Sequence, residues 1–137
     1  MTPATVLSRI MRGLVLAMNK VKTMARDYAL YPDDENGNVL WKMKQGGDNL
    51  DIPREVDFAV VFADEPSALE FAMRLLRYGQ KVSFGRYEGA EGFAFQVQAH
   101  PIMVASYEHV SGYERQLGKD AAALGGRNDG WGCYGRE

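Results

Sequence analysis

From Ile52 onward the hydrophobic period of this chain switches between two values, and the order of the switches limits the folds available to it. Val56, Phe58, Val60 and Phe62 alternate with Asp57, Ala59, Val61 and Ala63, which gives a strand one strongly apolar face. Asp64-Glu65-Pro66 then opens a helix, proline being tolerated in a first turn. Leu69, Ala72, Met73 and Leu76 are its expected inner stripe, and Gly79 its stop. Period two returns at residues 81–87 through Val82 and Phe84. After the Glu88-Gly89-Ala90-Glu91-Gly92 connection it returns again in Phe93, Phe95, Val97 and Ala99. A long helix with Val110, Tyr113, Leu117, Ala121 and Leu124 inward ends at Gly125-Gly126, and a strand around Trp131 closes the series. The order is βαββαβ. It predicts an α+β, ferredoxin-like domain whose two helices cover one face of a four-stranded antiparallel sheet.

Two segments precede this domain core. Leu7, Ile10, Leu14, Met18, Val21 and Ala25 recur at helical spacing and predict an N-terminal amphipathic helix. Its apolar stripe suits docking on the body or on a second copy of the chain, ahead of a membrane-surface or acidic-partner role. Residues 31–38 read as a turn-rich linker with Pro32 and Asn36-Gly37 as breakers. A short second helix follows, with Val39, Leu40 and Met43 on one side and Gly46-Gly47 as its stop. The expected division is a helical extension over 1–30 and a single domain over 31–137.

Charge is distributed unevenly. Residues 1–30 carry five basic side chains against Asp27 alone, whereas the remainder carries 11 basic and 17 acidic ones. A body of that sign does not attract phosphate over its whole surface. The one cysteine, Cys133, has no internal partner, so a reducing compartment is expected. No apolar run reaches the roughly 20 residues that span a bilayer, and Arg9 and Arg12 interrupt any signal-peptide order. A cytoplasmic protein is expected.

The motifs for chemistry are sparse. Glu91-Gly92-Phe93-Ala94-Phe95-Gln96 approaches the third-strand motif of an RNA-recognition domain. Here Phe93 and Phe95 share their parity with Val97 and Ala99, so they belong to the core set, and Glu91 stands where a phosphate-binding cation belongs. Direct nucleic-acid binding is therefore not expected on this sheet. His100 and His109 lack metal-pair spacing with Cys133 or a nearby carboxylate. A Cys133–His nucleophilic pair stays open, since such partners meet in space, but a cysteine in Trp-Gly-Cys-Tyr is more often a small packed hydrophobe. The glycine pairs stop helices and cradle no phosphate. No catalytic residue, metal site or cofactor is expected. What remains is a flat outer face of Asp57, Ala59, Val61, Ser83, Gly85, Ala94, Gln96, Gln98 and His100, which suits solvent or another protein equally well.

Four fragments together resemble the ribonuclease E inhibitor family, the regulators of ribonuclease activity B. They are Asp33-Asp34-Glu35-Asn36-Gly37, Gly47-Asp48-Asn49-Leu50, Pro53-Arg54-Glu55-Val56-Asp57-Phe58 and Gly125-Gly126-Arg127-Asn128-Asp129-Gly130-Trp131-Gly132. The resemblance covers about residues 31–134, and Asp-Gly-Trp-Gly after a helix is its most specific piece. It implies a non-catalytic protein that binds the endoribonuclease organising bacterial RNA decay and lowers its activity by protein–protein contact. Carried over by position, it marks Asp129, Trp131, Arg54 and Asp57 as partner-binding residues. Each has an ordinary structural explanation: a turn at Asp129-Gly130, an anchor at Trp131, an exposed ion pair of Arg54 with Glu55 or Asp57. The chain departs from the best-known kind of member, which is highly acidic and has an acidic tail after the Trp-Gly strand. Two alternatives stand beside this reading: an interaction module unrelated to RNA, homo-oligomeric through the N-terminal helix or the open sheet face, and an RNA-binding domain.

Overall fold

The computed structural model describes residues 25–136. Apart from Ala25, the expected N-terminal helix and its part in dimer formation lie outside the described residues. Within them the chain is a mixed α+β structure of three helices and one antiparallel sheet of five strands. The elements are α1 (Glu35–Gln45), β1 (Arg54–Phe62), α2 (Glu65–Arg77), β2 (Val82–Arg86), β3 (Phe95–Ala99), β4 (Ile102–Met103), α3 (Tyr107–Ala122) and β5 (Arg127–Cys133). The sheet path runs β2-β3-β1-β4, and β5 pairs with β1. Pro101 separates β3 from β4, its carbonyl accepting from Val56 N–H at 2.9 Å, and the two-residue β4 is the strand that the sequence pattern did not show.

The chain forms two compact units. Of the described residues, the first comprises 25–54, 103–111 and 134–136; the second comprises 55–102 and 112–133. In the first unit α1 starts earlier than its linker-like sequence predicts. Asp34 is the N-cap and accepts from Gly37 N–H at 2.8 Å, so Asn36-Gly37 lies inside the helix and does not break it. Glycine is needed there because a Cβ would sit 1.8 Å from the Pro32 carbonyl oxygen. Asp34 also accepts from the Tyr107 hydroxyl at the start of α3. That bond, with the Gly37 N–H, holds its carboxyl below the usual carboxylate range.

In the second unit β1 buries Val56, Phe58, Val60 and Phe62, as its alternation predicts. Phe58 meets Tyr113 of α3 at 4.6 Å and Phe62 meets Phe71 of α2 at 5.3 Å, both tilted, so this face of the sheet is the one the helices cover. Val61 corrects the expected outer face: it is fully buried as well. The α2 stripe is also corrected. Ala68, Phe71, Ala72 and Leu75 point inward, whereas Leu69, Met73 and Leu76 are 40%, 49% and 57% exposed. Both stripes fit a 3.6 period, and the Phe71–Phe62 contact selects between them.

The β2–β3 hairpin opens earlier than expected, at Arg86↔Phe95. Phe93 therefore lies in the connection and not in a strand, donating its N–H to Ala90 O at 3.0 Å, with the Arg127 guanidinium 4.1 Å above its ring. Val97 and Ala99 are the buried members of the third-strand set, and Phe95 stacks on Phe84 at its margin. Helix α3 stops at Ala122, two residues short of Leu124, with Gly125 at φ 78° turning the chain into β5.

Candidate functional site

The sheet face of the second unit opposite Phe58 and Phe62 carries a connected row of polar side chains. The β1–β3 register pairs Phe58 with Ala99 and Ala59 with Gln98, which sets Asp57 across from His100. On the other side of β3, Ser83 pairs with Gln98, and His100 N–H donates to Lys81 O at 2.9 Å. These registers place Glu55, Asp57, Lys81, Ser83 and His100 together. Asp57 Oδ1 lies 2.6 Å from His100 Nδ1, and Ser83 Oγ lies 2.8 Å from His100 Nε2. Lys81 Nζ donates to Glu55 Oε1 at 2.7 Å. This bond holds the Glu55 carboxyl below its ordinary range and the Lys81 amine above its own. Ala59 and the Gly132 backbone opposite Asp57 keep the surrounding surface low.

A carboxylate can only accept, so in the tautomer with Nδ1–H donating to Asp57, Nε2 accepts from the Ser83 hydroxyl. The chain of carboxylate, imidazole and hydroxyl has the connectivity of a nucleophile relay. Acyl transfer further requires a pocket and donors converging on an oxyanion. The row offers neither cavity wall: the two cavities described here, about 280 and 540 Å³, are lined by other residues. Cys133 is no partner for His100. It pairs with Val56 on the helix-covered face, opposite the face of Asp57 and His100. Sequence spacing did not reveal this cluster, because His100 and Asp57 are 43 positions apart and only the hairpin register joins them.

Of the residues marked by resemblance, Asp57 and Trp131 lie on opposite faces of the second unit's sheet. Asp57 is on the face of His100 and is half-buried. Trp131 pairs with Phe58, hence on the opposite face, and is half-buried. Asp129 accepts from the Tyr87 hydroxyl, which pushes the Tyr87 pKa up. Arg54 belongs to the first unit and is buried. The exposed pair expected with Glu55 or Asp57 is corrected: its guanidinium grips both Asp48 carboxylate oxygens at 2.8 Å each, with side chains of both residues 1% exposed. It also donates to the carbonyls of Asn49 at 2.8 Å and Tyr134 at 3.2 Å, and Arg136 N–H donates back to Asp48 Oδ1 at 3.2 Å. Arg54 thus ties the 48–54 turn to residues 134–136.

The family model described as regulator of ribonuclease activity B matches residues 33–133. The chain belongs to this family. The matched span runs from the residue before the α1 cap to the last residue of β5, and so takes in every described helix and strand. No curated protein matches the chain. Membership in the regulator of ribonuclease activity B family agrees with the resemblance read from the four fragments. Two of those fragments supply the buried Asp48–Arg54 pair. No described helix is long and apolar enough to cross a membrane.

Proposed function

We propose that this chain is a non-catalytic regulator that binds a protein partner, an endoribonuclease of bacterial RNA decay or an associated processing factor, in the cytoplasm. The family match over residues 33–133 carries this reading. The acidic balance of residues 31–137 supports it, since a basic RNA-binding region of a nuclease is an electrostatic complement. On this reading the sheet has the ferredoxin-like plan, with β5-β1-β3-β2 as its four long strands; the antiparallel pairings of β1 with β3 and β5, and of β2 with β3, support it. Asp57 on the face of His100, with Asp129 and Trp131 on β5, are the residues proposed to meet the partner, and Arg54 acts through residues 134–136, which it positions.

The test is capture of purified endoribonuclease on the immobilised full chain, alongside the rate of RNA cleavage with the chain added. Retention and slower cleavage are expected, both reduced by Asp57→Ala or Asp129→Ala with unchanged circular dichroism. A chain that neither retains the nuclease nor slows it defeats the proposal. A dimerising interaction module is the second reading, favoured by the exposed Leu69, Met73 and Leu76 stripe of α2. The RNA-binding reading is disfavoured, because Phe95 lies on the Val97 face of the sheet and Phe93 beneath Arg127.

A further inference from the structure

We propose that Glu55, Asp57 and His100 bind one divalent transition-metal cation, with Zn²⁺ the best-matched ion. This does not rest on the partner-binding reading, although the two share Asp57. One ligand atom from each of the three side chains lies within 4.8 Å of the other two. The donor set of one imidazole nitrogen and two carboxylate oxygens distinguishes the group from an acidic cluster. All-oxygen sets suit Mg²⁺ or Ca²⁺, whereas three mixed nitrogen and oxygen ligands with an open fourth position suit Zn²⁺.

The scaffold is rigid where it needs to be. Glu55 and Asp57 are alternate residues of β1 and so share a face, and His100 is fixed by the β1–β3 register and by its own N–H bond to Lys81 O. A second shell is also in place. With Nδ1 on the metal, Nε2–H donates to Ser83 Oγ, already 2.8 Å away, which sets the ring orientation and the tautomer. A tetrahedral ion with bonds of about 2.1 Å needs ligand atoms about 3.4 Å apart. The Asp57–His100 contact of 2.6 Å must therefore open slightly and Glu55 must swing inward. Glu55 is 41% exposed and Lys81 70%, so the first can turn and the second can withdraw its amine into water. Lys81 is then a built-in competitor: it balances the carboxylate charge when the metal is absent. Binding moves the Nδ1 proton to solvent, leaving two carboxylates against a doubly charged ion.

The experiment is calorimetric titration of the full chain with ZnCl₂ at pH 7.5, with imidazole ¹H–¹⁵N spectra recorded in parallel. One ion per chain and a shift of the His100 ring nitrogens are expected. His100→Gln should weaken binding by at least about 10-fold and Ser83→Ala by about 10-fold, the scale of a lost orienting contact. Lys81→Met should tighten it, and His109→Gln should change nothing. Circular dichroism checks each fold, and if His100→Gln fails to fold, the Lys81→Met affinity and the His100 shift decide. Equal affinities for the chain, His100→Gln and Lys81→Met, or no heat and no His100 shift at millimolar Zn²⁺, would overturn the proposal.

Discussion

Each unit of this molecule contains a cation–carboxylate pair, and the two differ in almost everything except chemistry. Arg54–Asp48 in the first unit is bidentate, buried and joined to the carbonyls of Asn49 and Tyr134. Lys81–Glu55 in the second is a single 2.7 Å contact between side chains 70% and 41% exposed. Water around the exposed pair replaces either partner, so it contributes little to stability and can be exchanged for another ligand. In the buried pair the loss of one ion strands the other without solvent. The first arrangement holds a fold together, and the second keeps a surface adaptable.

The largest effect should come from dividing the buried pair. Arg54→Ala leaves the Asp48 carboxylate enclosed and is expected to cost about 3–5 kcal/mol of unfolding free energy by urea titration. Lys81→Met should leave the urea midpoint where it is. A midpoint shift of equal size in the two variants would break the contrast between the units.

A second comparison uses neighbours on α2. Leu75 is 7% exposed and Leu76 57%. Leu75→Ala should cost about 2–3 kcal/mol, the lower part of the range for buried leucine because the site lies at the core margin. Leu76→Ala should cost under about 0.5 kcal/mol, as surface substitutions do. The reverse ranking would restore the inner stripe that the sequence pattern predicts.

These positions show where the sequence was sufficient. Period and punctuation located α2, α3, β1, β2 and β5, because alternation and glycine stops are local properties. The inner face of α2 was not local: apolar residues at 68, 69, 71, 72, 73, 75 and 76 offer two adjacent stripes, and only Phe62 chooses. Gly37 reads as a breaker because its reason, the close approach of the Pro32 carbonyl five residues earlier, depends on how the chain turns into α1 and not on composition. Arg54 was legible as a family residue but not as an interior one. Its partner, Asp48, lies six positions earlier, and nothing in that spacing shows a turn closing on itself. The Asp57–His100–Ser83 row needed two registers at once.

A change confined to alkaline pH concerns Tyr113, which spans the contrast between buried and wet. Its ring packs on Phe58 and its hydroxyl donates to Gln80 Oε1 at 2.8 Å. Burial pushes its pKa from 10.0 up to about 12. The folded state therefore holds the proton more tightly than the unfolded chain, whose tyrosine ionises near 10. Below pH 10 both states are protonated and the stabilising difference is complete. Between pH 10 and about 12 the unfolded chain ionises first, so stability falls as pH rises. Tyr113→Phe should flatten that alkaline limb relative to the parent chain, and absorbance at the phenolate band should lose one late-titrating group. An unchanged limb would mean that Tyr113 is as wet as the exposed tyrosines, and that the contact between α3 and β1 is looser than the Phe58 packing implies.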